Sequence, residues 1–124
     1  MAKDDYNVIV YKILTYLYAT LKGKEVFTQI KYDKAIGKKH INEDYLIRIY
    51  RMMSEEGLIE NASFTKAWGR VYIPLFEERE LEITAKGIHY LEDNSKMKEA
   101  GRFLMDKADS IADLIVSVGL DLLL

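Results

Sequence analysis

Residues 33–59 restrict the fold of this chain most, because they predict a short helix, a turn and a longer helix that stops just before a strand. Asn42 is a favourable N-cap for the longer helix, and Ile41 and Leu46 occupy the positions of a hydrophobic staple around it. Gly57 ends the same helix as a C′ glycine, and an apolar, strand-compatible run follows it. A helix-turn-helix that leads directly into a strand is typical of a winged helix.

Helices are also predicted on both sides of this segment. Residues 5–22 carry apolar side chains at helical spacing and predict a core helix, and a shorter helix is expected over about residues 27–36. Thr84 is a suitable cap for a helix over residues 85–93. In the longer helix of the helix-turn-helix, the residues expected to face the core are Leu46, Ile49, Tyr50 and Met53.

Between Gly57 and Thr84 the sequence predicts a small antiparallel sheet that forms the wing. Residues 66–69 are expected to connect a hairpin, and Trp68 at its tip is expected to be used mainly for packing. The acidic residues 77–80 are expected to be exposed. The predicted strands cover residues 58–65, 70–73 and 81–83.

One domain of the α+β class accounts for the whole chain. Its 124 residues are 49% hydrophobic and 31% charged, which suits a soluble globular protein with a single core, and no linker-like stretch divides them. We therefore predict a winged helix-turn-helix, with a three-helix core and a small antiparallel sheet, over residues 1–95. A C-terminal helix of the same domain is predicted over residues 96–124.

Composition favours a cytoplasmic protein that does not contact the membrane. The chain has no cysteine, which excludes disulfides and thiolate metal sites, and its N-terminus lacks the apolar segment of a secretion signal. The longest apolar stretch, residues 111–124, is interrupted by Asp113 and Asp121. It is also shorter than the roughly 20 apolar residues that cross a bilayer.

Residues 81–95, LEITAKGIHYLEDNS, resemble a segment of the YjcQ-like small proteins of bacteria and phages. Residues 56–59, EGLI, are similar to that family as well, and the resemblance spans roughly residues 4–102. Both motifs are moderately specific, since many winged-helix regulators share them. The resemblance implies a compact winged helix of bacterial, phage or prophage origin, with no catalytic residue. Its fold suggests DNA binding, and a structural or partner-binding role in a phage is also implied.

Charge gives only weak support for nucleic acid binding. Residues 1–40 contain eight lysines and four acidic residues, whereas every later segment is mildly acidic. The net charge of −2 and the pI near 5.7 lie far from the strongly basic values of typical nucleic-acid-binding domains. Any cationic face must therefore be local.

The leading hypothesis is a homodimeric DNA-binding transcriptional regulator whose longer helix enters the major groove while the hairpin touches the flanking backbone. Arg48 and Arg51 are expected to contact guanine or phosphate. Glu43 and Asp44 oppose this arrangement, because their charge would meet phosphate first. The predicted DNA contacts are Lys38, Lys39, His40, Ile47, Arg48, Arg51, Lys66 and Arg70.

The C-terminal segment carries apolar residues with the a/d spacing of a coiled-coil seam. This stripe could pack on the chain's own first helix or on a second copy, and a second apolar stripe from Ile111 onward favours the homodimer. The predicted dimer contacts are Leu104, Ala108, Ile111, Ile115, Val118 and Leu122.

The alternative hypothesis is a protein-interaction or structural module, encoded by a phage or prophage, that uses the same scaffold without binding DNA. The near-neutral net charge of the chain and its acidic wing favour this use. Enzyme chemistry is not expected, because His40 and His89 are the only histidines and no catalytic motif or phosphate loop is present. We therefore expect no metal and no cofactor.

Overall fold

Five α-helices and four short β-strands form the described part of the chain, residues 5–106 of a computed structural model. Their order and the two small antiparallel sheets confirm the α+β winged helix with additional C-terminal helices. In chain order, the elements are α1 (Asp5–Leu21), α2 (Gln29–Ile36), α3 (Glu43–Glu55), β1 (Ile59–Glu60), β2 (Phe64–Lys66), β3 (Tyr72–Pro74), β4 (Glu82–Ile83), α4 (Ala85–Asp93) and α5 (Ser95–Asp106).

The helix-turn-helix formed by α2 and α3 is fixed by local capping. The Thr28 hydroxyl accepts a hydrogen bond from the Lys31 amide at the start of α2, and Gly37 ends that helix at φ +70°. A 3₁₀ turn over residues 38–40 follows, and the Asn42 side chain then accepts from the Tyr45 amide at 3.2 Å. The cap predicted at Asn42 is therefore confirmed.

Helix α1 lies at the centre of the core. Its side chains at Ile13 and Leu14 are fully buried and share one apolar cluster with residues of the other helices and of β1 and β4. This burial removes apolar surface from water, which is the main favourable contribution to folding. The residues of α3 in the cluster are Leu46, Ile49, Tyr50 and Met53, as the sequence predicts.

Helix α5 completes the same core. It packs on α1 and α4, and its Leu104 side chain is 0% exposed. A Cβ atom added at Gly101 of α5 would lie 3.0 Å from the Tyr11 hydroxyl of α1, so α5 and α1 are in close contact. Leu104, which is one of the predicted dimer contacts, thus packs in the core of its own chain, and its contact with a second copy stays a prediction. The other five predicted dimer residues, Ala108, Ile111, Ile115, Val118 and Leu122, lie outside the described residues.

The sheet differs from the sequence prediction at Asn61. The sequence predicts a single strand over residues 58–65, but Asn61 adopts φ +72° and turns the chain. The Asn61 side-chain amide donates to the Glu80 carbonyl at 3.0 Å. The run is consequently divided into β1, which pairs with β4, and β2, which pairs with β3. Both pairings are antiparallel, and the β2–β3 hairpin is the wing.

Thr84 connects the start of α4 to the two residues that precede β1. Its hydroxyl accepts from the Gly87 amide at 2.9 Å, as a cap should, and donates to the Gly57 carbonyl at 2.5 Å. The Thr84 amide also donates to the Leu58 carbonyl at 3.1 Å. The segments 56–59 and 81–95, which carry the family resemblance, are therefore hydrogen-bonded to each other and have a structural role.

None of the helices between residues 5 and 106 has both the length and the apolar character needed to cross a bilayer.

Candidate nucleic-acid interface

Cationic side chains of α3 and the wing meet around one tyrosine, Tyr72. The Arg51 guanidinium lies 4.5 Å from the centroid of the Tyr72 ring, and the Lys66 ammonium lies 5.9 Å from it. Arg48 Nη2 donates to the backbone carbonyl of Arg70 at 3.0 Å. Four of the predicted DNA contacts, which are distant in sequence, are thus brought together at the junction of α3 and the wing.

The hairpin register explains this convergence. Lys66 and Tyr72 are directly paired across β2 and β3, so their side chains share one face of the wing. That face turns toward α3, where Arg48 and Arg51 lie on neighbouring turns. Since Arg48, Lys66 and Arg70 remain exposed, their charges are accessible to a polyanion.

Arg51 is held more firmly than the other three cations. Its Nη1 donates to Glu55 Oε1 at 2.7 Å, and its Nε is buried with no hydrogen-bond partner among residues 5–106. The ion pair and the ring contact fix the guanidinium against the wing. Arg51 therefore supports the junction, whereas Arg48 is the freer of the two predicted reading residues.

Ile47 and Asp44 lie beside the same junction. They line a small hollow, of about 30 Å³, together with Arg48, Arg70, Val71 and Tyr72. Ile47 is half-buried between α3 and the wing, so its side chain is only partly available to a groove. The Asp44 carboxylate faces the same hollow as two arginines, and it offsets part of their positive charge.

The three predicted turn residues do not behave alike. Lys38 Nζ forms ion pairs with Glu78 at 2.6 Å and with Asp33 at 3.6 Å. Burial alone would lower the pKa of Lys38, but the bonds with these two carboxylates outweigh it and raise the pKa. Lys39 and His40 are exposed. Only these last two residues of the turn are therefore available to a phosphate.

Glu78 is the residue that the sequence interpretation missed. The sequence predicts that residues 77–80 are exposed, but Glu78 Oε2 accepts from the Tyr50 hydroxyl, and Glu78 Oε1 accepts from Lys38 and Gln29. The Tyr50 hydroxyl also lies 2.7 Å from the buried Tyr32 hydroxyl. Because Tyr50 donates to the carboxylate, Tyr32 donates to Tyr50. This Glu78 network connects α2, α3 and the segment after β3.

Three tyrosines should make the fold sensitive to alkali. Burial raises the pKa of Tyr32 and Tyr50, as do nearby charges, and burial also raises the pKa of Tyr6 to about 12. Above about pH 10 the unfolded chain releases these protons while the folded chain retains them, so stability falls as pH rises through this range. We expect each of Tyr32 and Tyr50 to lower the free energy of unfolding by about 1.4 kcal/mol per pH unit in this range.

Urea denaturation at several pH values between neutral and about pH 12 measures this slope. The variant Tyr50→Phe removes one of the titrating groups. The free energy of unfolding should then fall less steeply with pH, by the contribution of one tyrosine. An unfolding free energy that stays constant above pH 10 in the unmodified chain would contradict the prediction.

The outer face of the wing is apolar. Trp68, at the hairpin tip, is 95% exposed, so it does not pack on the described part of the chain as the sequence interpretation expected. Val71, Ile73 and Leu75 extend the same surface and are also exposed. Four large apolar side chains exposed on one short hairpin are typical of surfaces that meet another molecule.

Between residues 5 and 106, no group of three or more histidine, aspartate or glutamate side chains is arranged to hold a metal ion.

Comparison with known proteins identifies one family. The family model described as YjcQ protein matches residues 11–107, which is more than half of the chain. Comparison with curated proteins and with solved structures found no match. The matched range contains both motifs that join β1 to α4, together with the helix-turn-helix and the wing. The chain therefore belongs to the YjcQ family.

Proposed function

We propose that this protein is a DNA-binding transcriptional regulator of bacterial or phage origin that acts as a homodimer. The observation that carries the proposal is that Arg51 and Lys66 meet at the Tyr72 ring, while Arg48 and Arg70 line the hollow beside it. A local cation cluster attracts DNA phosphates even when the net charge of the chain is −2, because screening limits each charge to its neighbourhood.

In the proposed complex, α3 lies in the major groove and the wing follows the adjacent backbone. Arg48 contacts a base edge or a phosphate, and Lys66 and Arg70 contact phosphates from the wing. At the other end of α3, Lys39 and His40 approach the backbone. The C-terminal segment beyond α5 supplies the dimer contact, so that two copies bind two half-sites.

Fluorescence anisotropy with a mixed-sequence duplex at two salt concentrations tests this proposal. We expect weak binding that falls steeply with salt, because each neutralised phosphate releases counterions. Arg48→Ala and Arg70→Ala should each weaken binding several-fold and reduce the salt slope by about one. Lys98→Ala is the matched control, since Lys98 is an exposed cation of α5 that lies outside the junction.

One outcome would contradict the proposed interface, and another would contradict DNA binding itself. The first is equal affinity of Arg48→Ala, Arg70→Ala and Lys98→Ala for the duplex, which would place the contact elsewhere. The second is no binding at low salt and high protein concentration, which would remove the nonspecific affinity that any phosphate contact must leave.

A second candidate function is a protein-interaction module on the same scaffold, and the exposed apolar face of the wing favours it. Trp68, Val71, Ile73 and Leu75 are large apolar side chains exposed on the wing, and the centre of a protein interface is enriched in such side chains. Trp68 is the only tryptophan, so its fluorescence reports directly on contact at this face. Absence of duplex binding at low salt would make this function the first candidate.

A further inference from the structure

A cleft of about 280 Å³ opens between α3, the start of α2 and the segment that follows β3. Its apolar lining is formed by Leu46 and Ile47 on α3 and by Pro74 and Phe76 on the wing side. The Tyr50 ring packs edge-on against Phe76, with ring centroids 5.9 Å apart. This volume lies at the lower end for small-molecule sites, so the cleft suits a ligand with one ring or a short branched chain.

The hydrogen-bond donors that line the cleft are directed at one of its own carboxylates. Lys38 Nζ and Gln29 Nε2 donate to Glu78 Oε1 at 2.6 and 2.8 Å, and the Tyr50 hydroxyl donates to Glu78 Oε2. An anionic ligand would have to compete with Glu78 and Asp33 for Lys38 and would be repelled by their charge. The cleft is therefore poorly suited to phosphates, carboxylates and other anions.

Glu43 supplies the charge in the cleft that is not compensated. Glu77 pairs with Arg79 at 2.7 Å, and Glu78 pairs with Lys38. Glu43 is exposed at the start of α3, and no cation of residues 5–106 pairs with it. One carboxylate beside an aromatic and aliphatic lining is complementary to a ligand with one positive charge and an apolar body.

We propose that this cleft binds a small organic monocation, with its ammonium or amidinium group at Glu43 and its apolar body against Phe76, Pro74 and Ile47. The Glu78 network fixes one wall of the site, since it ties α2 and α3 to the segment after β3. Because the network is formed before a ligand arrives, little reorganisation accompanies binding. The Glu43 carboxylate selects the charge, and the lining selects the apolar body.

Isothermal titration calorimetry on the full chain, without DNA, tests this inference independently of the proposed function. The probes are phenethylammonium and cyclohexylmethylammonium, and the neutral comparison is phenethyl alcohol, which keeps the ring and removes the charge. We expect both cations to bind and the alcohol to bind at least tenfold more weakly.

The decisive variant is Glu43→Gln, which keeps the size of the side chain and removes its charge. It should weaken binding of both cations about tenfold, the scale of one lost charge-assisted contact. Glu92→Gln is the matched control, because Glu92 is an exposed glutamate of α4 away from the cleft. Circular dichroism of both variants verifies that each is folded.

Three results would overturn the inference. One is no heat of binding for either cation up to about 10 mM, the weakest affinity that such a site would have. Another is equal affinity for phenethylammonium and phenethyl alcohol, which would leave Glu43 without a role. The third is a Glu43→Gln variant that binds the cations as well as Glu92→Gln does.

Discussion

Replacing Gly87 by alanine should destabilise the fold by about 3 kcal/mol, the upper end of the usual cost of overpacking. A Cβ atom at this position would lie 2.2 Å from the Leu58 carbonyl oxygen and 2.8 Å from a side-chain carbon of Ile83. The oxygen belongs to backbone, so it cannot rotate away as the end of a side chain can. Helix α4 would have to move off β1.

That movement would also strain the bonds that start α4. The Thr84 hydroxyl bonds both the Gly87 amide and the Gly57 carbonyl, and the Thr84 amide bonds the Leu58 carbonyl. In an open helix position, alanine would instead stabilise the chain by about 1 kcal/mol relative to glycine. The contact with β1 therefore decides the sign of the change. Urea denaturation measures the free energy of unfolding.

Gly23→Ala is the matched control for this substitution. Gly23 has φ +76°, and a Cβ atom there would meet nothing within 4 Å. Gly23→Ala therefore measures the cost of backbone strain without a steric clash. That strain costs about 1–2 kcal/mol. If Gly87→Ala were no more destabilising than Gly23→Ala, the inference that α4 lies too close to Leu58 for a Cβ atom at position 87 would be wrong.

Helix ends are the part of this fold that the sequence predicts best, because their causes are local. Asn42, Gly57 and Thr84 act on backbone groups within four residues of themselves, and each lies where the pattern places it. Asn61 is a different case. Its left-handed conformation is supported by a bond to Glu80, which is 19 residues away, and no local pattern reveals such a partner.

The sequence predicts which residues could form the candidate site, but it does not predict which partners those residues have. The cations of α3 and the wing are visible in the sequence, and hairpin register explains why Lys66 and Tyr72 meet. The difference between Lys38 and its neighbour Lys39 depends on Glu78, which is 40 residues away. Within an acidic run, Glu78 carries no local sign that tyrosine and lysine donors will surround it.

Replacing Leu104 by alanine should lower the free energy of unfolding by about 3 kcal/mol, because the change leaves a cavity in a closely packed core. Leu104 is fully buried in the same cluster as α1 and α3. If Leu104 packs in the core of its own chain, its replacement lowers the free energy of unfolding of the protomer. If Leu104 contacts only a second copy, the replacement changes the oligomeric state and leaves the protomer stable.

Urea denaturation and sedimentation, each at two protein concentrations, distinguish these roles for Leu104→Ala. The concentration series is needed because dimerisation by itself would add a concentration-dependent stability. Met105→Ala is the matched control, since Met105 is the next residue of α5 and is exposed. We expect Leu104→Ala to lose stability equally at both concentrations and Met105→Ala to change little. A variant that dissociates without losing protomer stability would show that Leu104 contacts a second copy, and that α5 does not close the core of its own chain.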